Sequence, residues 1–521
     1  MLGAIIGDTV GSIYEFCNCK STKFPLFSQH SRPTDDSVMS MAVAEWLLTD
    51  PERSQQTLEE SLVCWGHRYS RAGYGGAFSR WLFNPDFLGG YRDDEHHFDQ
   101  LHSGRHPYNS WGNGSAMRCS ACGWVARSLE EAEALAKKSA EITHNHPEGI
   151  KGAQAVAAAI WMARHDATKE EIREYITERF YYDLTMDCDD IRPNYYFDVS
   201  CQGTVPQAIV AFMDSWDFES AIRLAVSLGG DSDTLTCITG ALAEAFYKEI
   251  PEHITTEMRN RLDADWWTII DTIYKKAEET KQMPSRPKLV FLTGAGVSRE
   301  SGIPTFRDPM TGLWAKYNPM ELCSATKLRE NPQLILDFYN ERRRALADKE
   351  PNYAHQVIAA LEQFYDVTVI TQNVDNLHEL AGSTNVWHVH GDLTKVTSSK
   401  NIFDPNCIQN YPLTEPIMVG QQAADGSQLR PYVVMMDEFL PPMNLAVRRI
   451  QEADIFVIIG STLSIGAGVL LSGQASAIAQ KFIIDPMDHT MKLPAGFHWI
   501  QAPATEGIND LLQVLNIAPT R

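Results

Sequence analysis

Two short stretches carry carboxylates in a pattern that capping alone does not explain. GGDSDT, Gly229 to Thr234, sets Asp231 and Asp233 one residue apart, behind a glycine pair and ahead of a hydroxyl. PTDDS sets Thr34, Asp35 and Asp36 at the head of the apolar run VMSMAVAEWLL. After GGDSDT, Leu235, Ile238, Leu242, Ala245 and Phe246 recur at helical spacing, so both acid pairs stand where a helix begins. Thr and Asp cap helices and acids favour the positive helix end, which accounts for one acid at each place. A neighbouring second acid adds repulsion unless a cation is present. A calcium loop of the EF-hand type starting at Asp231 would need glycine at its sixth position and glutamate at its twelfth. Those positions hold Thr236 and Leu242, which excludes it. If the fold brings the clusters together, four carboxylates and two hydroxyls can hold a pair of hard divalent ions.

A second set of polar residues lies in the C-terminal half. KLVFLTGAGVSRESGIPTFRD begins as a strand and breaks into Gly294-Ala295-Gly296. Arg299 stands where a dinucleotide fingerprint would have its third glycine, so G-x-G alone says little. The continuation Ser301 to Arg307, SGIPTFR, has no evident capping or helix-forming purpose. VTVITQNVDNLHELAG leaves a strand into Gln372, Asn373 and Asp375, NVWHVHGDL puts His390 at a strand end, and IFVIIGSTLS ends in Gly460, Ser461 and Thr462. In open parallel sheets ligands bind at the carboxyl ends of the strands, where these groups gather. Taken alone, a histidine at a strand end such as His390 reads first as a core histidine.

The elements that must position these residues differ between the two halves. At 521 residues the chain exceeds one ordinary core, which predicts two domains. Ala-rich amphipathic runs such as GIKGAQAVAAAIWMARH and FESAIRLAVSL predict an all-α domain over residues 1–278. KKAEETKQMPSRPK, charged and with two prolines, predicts a linker at 279–287. From 288 to 521, KLVFLT, DVTVIT, TNVWHVH and DIFVIIG alternate with helical patterns, as in a parallel, Rossmann-like α/β sheet. The fold class expected is multidomain, all-α then α/β.

With 44% apolar and 21% charged residues the chain reads as globular, and its formal charge of −22 argues against broad contact with nucleic acid or anionic lipid. MLGAIIGDTVGS lacks the basic start of a signal peptide, and no apolar run reaches the ~18 residues of a membrane span. The ten cysteines are scattered, which suits a reducing, cytoplasmic setting. Cys119 and Cys122 form a lone C-x-x-C in a helical context and read as buried thiols rather than a zinc site.

GAIIGDTVGSIYE, PTDDS, GNGSAMR, THNHPEG and GGDSDT occur in the order found in ADP-ribosylglycohydrolases of the dinitrogenase reductase-activating type, and residues 1–275 resemble that family. The resemblance implies an all-α fold with two Mg²⁺ or Mn²⁺ ions that cleaves the bond joining ADP-ribose to an acceptor. It implies Thr34, Asp35, Asp36, Asp231, Asp233 and Thr234 as metal ligands and Glu15 as a mobile acid near the scissile bond. Asn113, Gly114 and Ser115 would line the ADP-ribose pocket with His144 nearby. Two metals about 3.5–4 Å apart can clamp ribose hydroxyls and lower the pKa of a bound water. Carboxylates close by would stabilise oxocarbenium character at the anomeric carbon.

GAGVSRESGIPTFR, TQNVDNLH and VHGD make residues 286–515 resemble the sirtuins, NAD-dependent deacylases and, in some members, ADP-ribosyltransferases. The resemblance implies NAD contacts from Gly294, Ala295, Gly296, Ser298, Ile303, Pro304, Thr305, Phe306, Arg307 and Gln372. Gly460, Ser461 and Thr462 would hold the adenosine side. Asn373 and Asp375 would orient the nicotinamide ribose, and His390 would be the general base. Three departures stand out. Where sirtuins carry two C-x-x-C pairs for zinc, the stretch after the histidine offers only Cys407, which predicts a reduced small domain without structural zinc. Asp437 replaces the glycine of the strand that clamps an acyl-lysine peptide, and Asp485 stands where asparagine is usual.

One half resembles an NAD consumer and the other a remover of ADP-ribose, so the expected protein is a bifunctional enzyme of ADP-ribose metabolism. Its partners would be NAD, ADP-ribose and an acylated or ADP-ribosylated protein. In one version the C-terminal domain deacylates and the N-terminal domain hydrolyses the O-acyl-ADP-ribose formed; in another the first ADP-ribosylates and the second reverses it. Retained His390 favours the former, the altered clamp strand and missing cysteines the latter. A non-catalytic NAD or ADP-ribose sensor and an NAD hydrolase are the remaining alternatives.

Overall fold

A computed structural model of the chain describes residues 1–84, 105–282, 286–304, 322–404, 407–441, 443–461, 463, 466–487 and 496–517. Thr305, Phe306, Arg307 and Thr462 lie outside these described residues. The chain divides into two compact units, Met1–Ser285 and Arg286–Arg521.

Among the described residues the first unit is helical, and its sole strand-like feature is an isolated bridge between Gly112 and Ser200. The helix Ser232–Tyr247 runs through its middle, with every residue from Ser232 to Ala245 buried. The helix Leu2–Gly11, itself buried throughout, lies directly against it. Glycine at every fourth position makes that approach possible. A Cβ on Gly3 would stand 2.3 Å from the Gly240 carbonyl oxygen, on Gly7 2.0 Å from that of Thr236, and on Gly11 2.4 Å from that of Ser232. Any side chain there would push the two backbones apart. Cys119 and Cys122 are both buried, and the Cys119 thiol donates to the carbonyls of Ala116 and Ala153.

The helix Ala264–Gln282 carries through residues 279–282, which were expected in the linker. KKAEETKQ is charged, but Lys, Ala, Glu and Gln are strong helix formers. The composition of a linker and of an exposed last helical turn is the same.

The second unit is built on a six-stranded parallel sheet of order β3-β2-β1-β7-β8-β9. The strands are β1 (Lys288–Thr293), β2 (Asp366–Thr371), β3 (Val386–His388), β7 (Ile455–Ile459), β8 (Gln480–Ile484) and β9 (Phe497–Ile500). Both faces are covered. Leu289, Phe291, Val367 and Val457 pack into one core, while Val290, Leu292, Phe456 and Ile458 pack into the other, as continuous apolar strands require. The chain leaves β1 in opposite directions for β2 and, later, β7, so the strand order reverses between β1 and β7. A smaller antiparallel sheet, β5-β4-β6, consists of β4 (Gly391–Ser398), β5 (Gln409–Asn410) and β6 (Leu429–Val433) and has its own core.

Where the cysteine-poor sequence predicts a reduced small domain, the helix Pro332–Leu346 supplies internal ties. Arg343, fully buried, donates to the carbonyls of Leu393, Tyr411, Pro412 and Glu415, and Asn340 exchanges two hydrogen bonds with Ile417. Cys407 lies with Asp404 and Asp425 in a group whose ligand atoms fall within 4.8 Å of one another.

Candidate active sites

In the first unit the acids converge. Asp8, Asp36 and Asp233 bring carboxylate oxygens within 4.8 Å of one another, and Glu15, Asp231 and Asp233 form a second such group that shares Asp233. Asp35 is in neither group, though it stands close enough to feel the charge of Asp233 and Asp8. Gly229 and Gly230, at φ +73° and +75°, turn the chain into the helix that carries Asp231 and Asp233. Asn18 accepts from the Gly230 N–H, and Lys20 donates to the carbonyls of Arg192, Tyr195 and Leu228, so the Glu15 segment is tied to the same loop.

Capping does not explain the acids. Neither Thr34 nor Asp231 makes a side-chain cap at its helix. The cap on the helix Asp35–Thr49 comes from Asp8, which the sequence reading did not single out. Its Oδ2 accepts from the N–H groups of Thr34 (2.8 Å) and Ser37 (3.1 Å), and its Oδ1 from the Thr34 hydroxyl (2.6 Å). Asp8 follows Gly7 on the helix packed against Thr236, which is what carries it to Asp233. The glycine spacing in GAIIGDTVG was the signal available for it.

With Asp8 capping, Asp35 and Asp36 are released from that duty. Asp36 Oδ1 is buried with no hydrogen-bond partner among the described residues. Asp231 accepts from the Asn113 amide at 2.6 Å, and the Thr34 hydroxyl stands 3.5 Å from Asp233. Thr234 is buried, its N–H donating to Asp233 Oδ1. Burial first, then mutual repulsion, raises the carboxyl groups of Asp35 and Asp36 well above the usual range. Glu15 is pushed up to about 7 by burial and by the charges of Asp233 and Asp8. A buried group of carboxylates with an orphaned oxygen and an all-oxygen donor set fits hard divalent cations.

Asn113 follows Gly112, the residue that bridges to Ser200, and its N–H donates to the Val199 carbonyl and its side-chain amide also to Thr204. The ring of His144 fills the space that Gly112 and Gly114 leave open, and His144 Nδ1 lies 2.7 Å from the Thr143 hydroxyl. Burial and the nearby Arg118 hold its pKa well below the ordinary value. Ser115 is fully buried and donates to the Gly149 carbonyl at 2.7 Å, so its hydroxyl ties this turn to the helix Pro147–Arg164.

In the second unit Gly294, Gln372, Asn373, Gly460 and Ser461 stand at the carboxyl ends of β1, β2 and β7, at the point where strand order reverses. The G-x-G glycines serve a close backbone approach. A Cβ on Gly294 would meet the Gly460 oxygen at 2.8 Å, and one on Gly296 the Gly460 Cα at 2.6 Å. Gln372 donates to Ser461 Oγ at 2.9 Å. Asn373 Nδ2 donates to Ser298 Oγ at 2.9 Å, while Asp375, also buried, accepts from the Leu377 N–H. Ile303 is half-buried and its N–H donates to the Ser298 carbonyl; Pro304 is exposed.

His390 Nδ1 lies 2.9 Å from the Gln372 carbonyl oxygen. A carbonyl only accepts, so Nδ1 carries a proton, and in the neutral ring Nε2 is then the nitrogen with the lone pair. Burial holds the His390 pKa below its ordinary value, which favours this neutral base form. Asp437 turns out to be occupied. It accepts from the Ser324 hydroxyl and from the N–H groups of Ala325 and Thr326, capping the helix Ala325–Glu330 from outside. Those bonds, against the pull of burial, keep its carboxyl well below the usual range. Asp485 is buried and accepts from the Met487 N–H.

Fold and sites together define an enzyme chain with two centres, a buried polycarboxylate cluster in an all-helical unit and a histidine–asparagine–aspartate site at the switch point of a doubly wound sheet. The ADP-ribosylglycohydrolase profile matches residues 1–283 and the Sir2 family profile residues 294–467. An NAD-dependent protein deacylase of Bacteroides thetaiotaomicron is 43% identical over 232 residues, 44% of this chain and 99% of that one. A second, from Helicobacter pylori, is 42% identical over 227 residues, 44% of this chain and 96% of its own. Among solved structures, a Sir2 homologue in complex with NAD is 34% identical and covers 44% of this chain and 89% of that chain, with a TM-score of 0.38. The chain belongs to the ADP-ribosylglycohydrolases through its N-terminal half and to the Sir2 family through its C-terminal half.

Proposed function

We propose that this chain couples two reactions of ADP-ribose: the C-terminal unit removes an acyl group from a protein at the expense of NAD, and the N-terminal unit hydrolyses the O-acyl-ADP-ribose that results. The observation that carries it is the pairing, in one chain, of a neutral His390 aimed by Gln372 with a cluster of five acids around Asp233.

In the C-terminal unit Asn373 and Asp375 would hold the nicotinamide ribose, the acyl oxygen would displace nicotinamide at the anomeric carbon, and His390 Nε2 would take the proton from a ribose hydroxyl. Asp437 is engaged by its own helix, its carboxylate oxygens accepting from Ser324, Ala325 and Thr326. That engagement supports a structural role for Asp437 and, with His390 retained, the deacylation reading over transfer to a protein.

In the N-terminal unit Asp35, Asp36, Asp231 and Asp233, with Thr34 and Thr234, would hold two Mg²⁺ or Mn²⁺ ions. Such ions, when bound, lower the pKa of water and neutralise the cluster. Asp8 orients Thr34 and the helix start, Asn113 fixes Asp231, and Glu15, held near neutrality, would exchange a proton at the scissile bond.

The test supplies purified chain with NAD and an acetylated peptide and follows nicotinamide and acyl-ADP-ribose, with Mg²⁺ and with chelator. Nicotinamide release that requires peptide, with O-acetyl-ADP-ribose accumulating only under chelator or in the double variant Asp231→Ala, Asp233→Ala, supports the coupled reading. Nicotinamide released without peptide would point to transfer or NAD hydrolysis, and hydrolysis that survives the double variant removes the acid cluster from the chemistry.

A further inference from the structure

Two residues that no motif singles out grip the same turn that bears Gln372, Asn373 and Asp375. β3 is an edge strand, and its pairing with β2 ends at His388 opposite Thr371. Beyond that point the backbone ladder gives way to side chains. The Val389 N–H still donates to the Thr371 carbonyl, then His390 Nδ1 reaches the Gln372 carbonyl at 2.9 Å and His388 Nδ1 the Asn373 carbonyl at 3.0 Å. The chain turns at Val389 and His390 directly after β3, and this turn lets the two histidines close on consecutive carbonyls, those of Asn373 and Gln372.

They differ in what holds the other nitrogen. His390 Nε2 has no partner among the described residues, whereas His388 Nε2 lies 2.8 Å from Glu379 Oε1 at the end of the helix Leu377–Leu380. A carbonyl and a carboxylate are both acceptors, so each nitrogen of His388 must donate and the ring carries a positive charge. We propose that His388 and Glu379 form a positioning pair, an imidazolium locked between the Asn373 carbonyl and a carboxylate, which fixes the turn that presents Asn373 and Asp375 to NAD. The proposal rests on the NAD-dependent reading of this site.

The remaining bonds of Asn373 fit that role. Its N–H donates to Thr371 Oγ1 and its Nδ2 to Ser298 Oγ, so with His388 on the carbonyl the residue is held from three sides. Only its Oδ1 is without a partner among the described residues. The charge on His388 has support around it. Burial works against it, but Glu379, by charge and hydrogen bond, and Asp392 outweigh burial and the opposing Lys395, and the pKa stands at about 9. Of the other groups that face the ring, Asp375 is raised by burial with the His388 charge opposing the shift, and His378 is held down by burial and by the charges of His355 and His388. His388 is nearly buried (10% exposed), while Glu379 is open on one side (39%) and can be changed without emptying the core.

The experiment uses the full chain with ¹⁵N-labelled histidine. Expected is one imidazole that stays protonated above about pH 8, is missing in His388→Gln, and titrates at least about one unit lower in Glu379→Gln. In NAD-dependent deacetylation of an acetyl-lysine peptide, the wild-type kcat/KM for NAD should fall on an alkaline limb near that same pH. Glu379→Gln should move the limb towards neutral pH by about the same amount, and His388→Gln should lower kcat/KM for NAD about 10- to 100-fold, the scale of a small misplacement, with the peptide KM unchanged. The absence of any imidazole protonated above about pH 8 overturns the proposal. So does a Glu379→Gln enzyme that loses thermal stability while its kcat/KM for NAD stays within about twofold of wild type across the pH range. If the wild type turns over no NAD, the functional reading fails on that observation, and the histidine titration still decides the pair.

Discussion

Asp36 Oδ1 is buried without a partner among the described residues, and its neighbours Asp8 and Asp233 are acids too. The carboxyl groups of Asp35, Asp36 and Asp233 are all raised by burial above the model-peptide range, with Asp8 at about 6 and Glu15 at about 7. For a carboxyl whose folded pKa exceeds its unfolded value, the native state binds more protons, so stability falls as pH rises through the interval between the two. In metal-free protein that interval runs upward from ordinary carboxyl values to about 7, the reverse of the usual acid behaviour. Asp233→Asn, which removes the acid shared by both groups, should therefore raise the melting temperature at neutral pH under chelator by a few degrees, of the order that ~1 kcal/mol produces. The same variant should lose ADP-ribosyl hydrolysis. Differential scanning calorimetry under chelator checks the first effect, and a melting temperature that drops instead would refute the strained-cluster account. In the second unit the His390 pKa lies below its ordinary value through burial. The deacylase acid limb should then fall below about pH 6.5, the point where a free histidine gains its proton, as a pH profile of kcat/KM will read.

The helix Leu2–Gly11 shows how an element delivers such a residue. Its glycines let two helix backbones touch, and that contact places Asp8 beside Asp233. Gly7→Ala puts a Cβ 2.0 Å from the Thr236 carbonyl oxygen, so the helices must separate. Overpacking of this kind costs about 1–3 kcal/mol or more, and the expected outcome is a destabilised N-terminal unit without hydrolase activity whose nicotinamide release is unchanged. Asp36, Asp231 and Asp233 were legible in the sequence because two acids side by side exceed what a helix start requires. Asp8 was not, since a single acid inside an apolar run reads as a solvent-facing break until the glycine spacing around it is seen as a packing surface. The parallel sheet was legible from β-branched runs, and so were Gln372, Asn373 and His390 at its rim. Glu379 and His388 were not, because a turn and a strand separate them and their pairing exists only in three dimensions. The start of the linker was misplaced for a related reason. Charge and helix propensity coincide in KKAEETKQ, and only Pro284 and Pro287 beyond it signal a break.

At the scale of the chain, each unit has its own core and its own centre, with no need of the other to complete a sheet or a helix bundle. Ligands that bind only one unit should therefore shift only that unit's unfolding. A ligand at 100 times its dissociation constant adds about 2.7 kcal/mol to the state that binds it, which for domains of this size moves a melting temperature by several degrees. Calorimetry of the full chain should thus resolve two transitions. Mg²⁺ should raise one and NAD the other, and Asp233→Asn should abolish the Mg²⁺ shift while leaving the NAD shift intact. His388→Gln should do the converse, weakening the NAD shift and sparing the Mg²⁺ shift. A single transition that moves with either ligand would mean that the two centres are energetically joined, and the coupling between reactions would then be conformational as well as chemical. Two independent transitions leave the coupling to chemistry alone: the product of one centre is the substrate of the other.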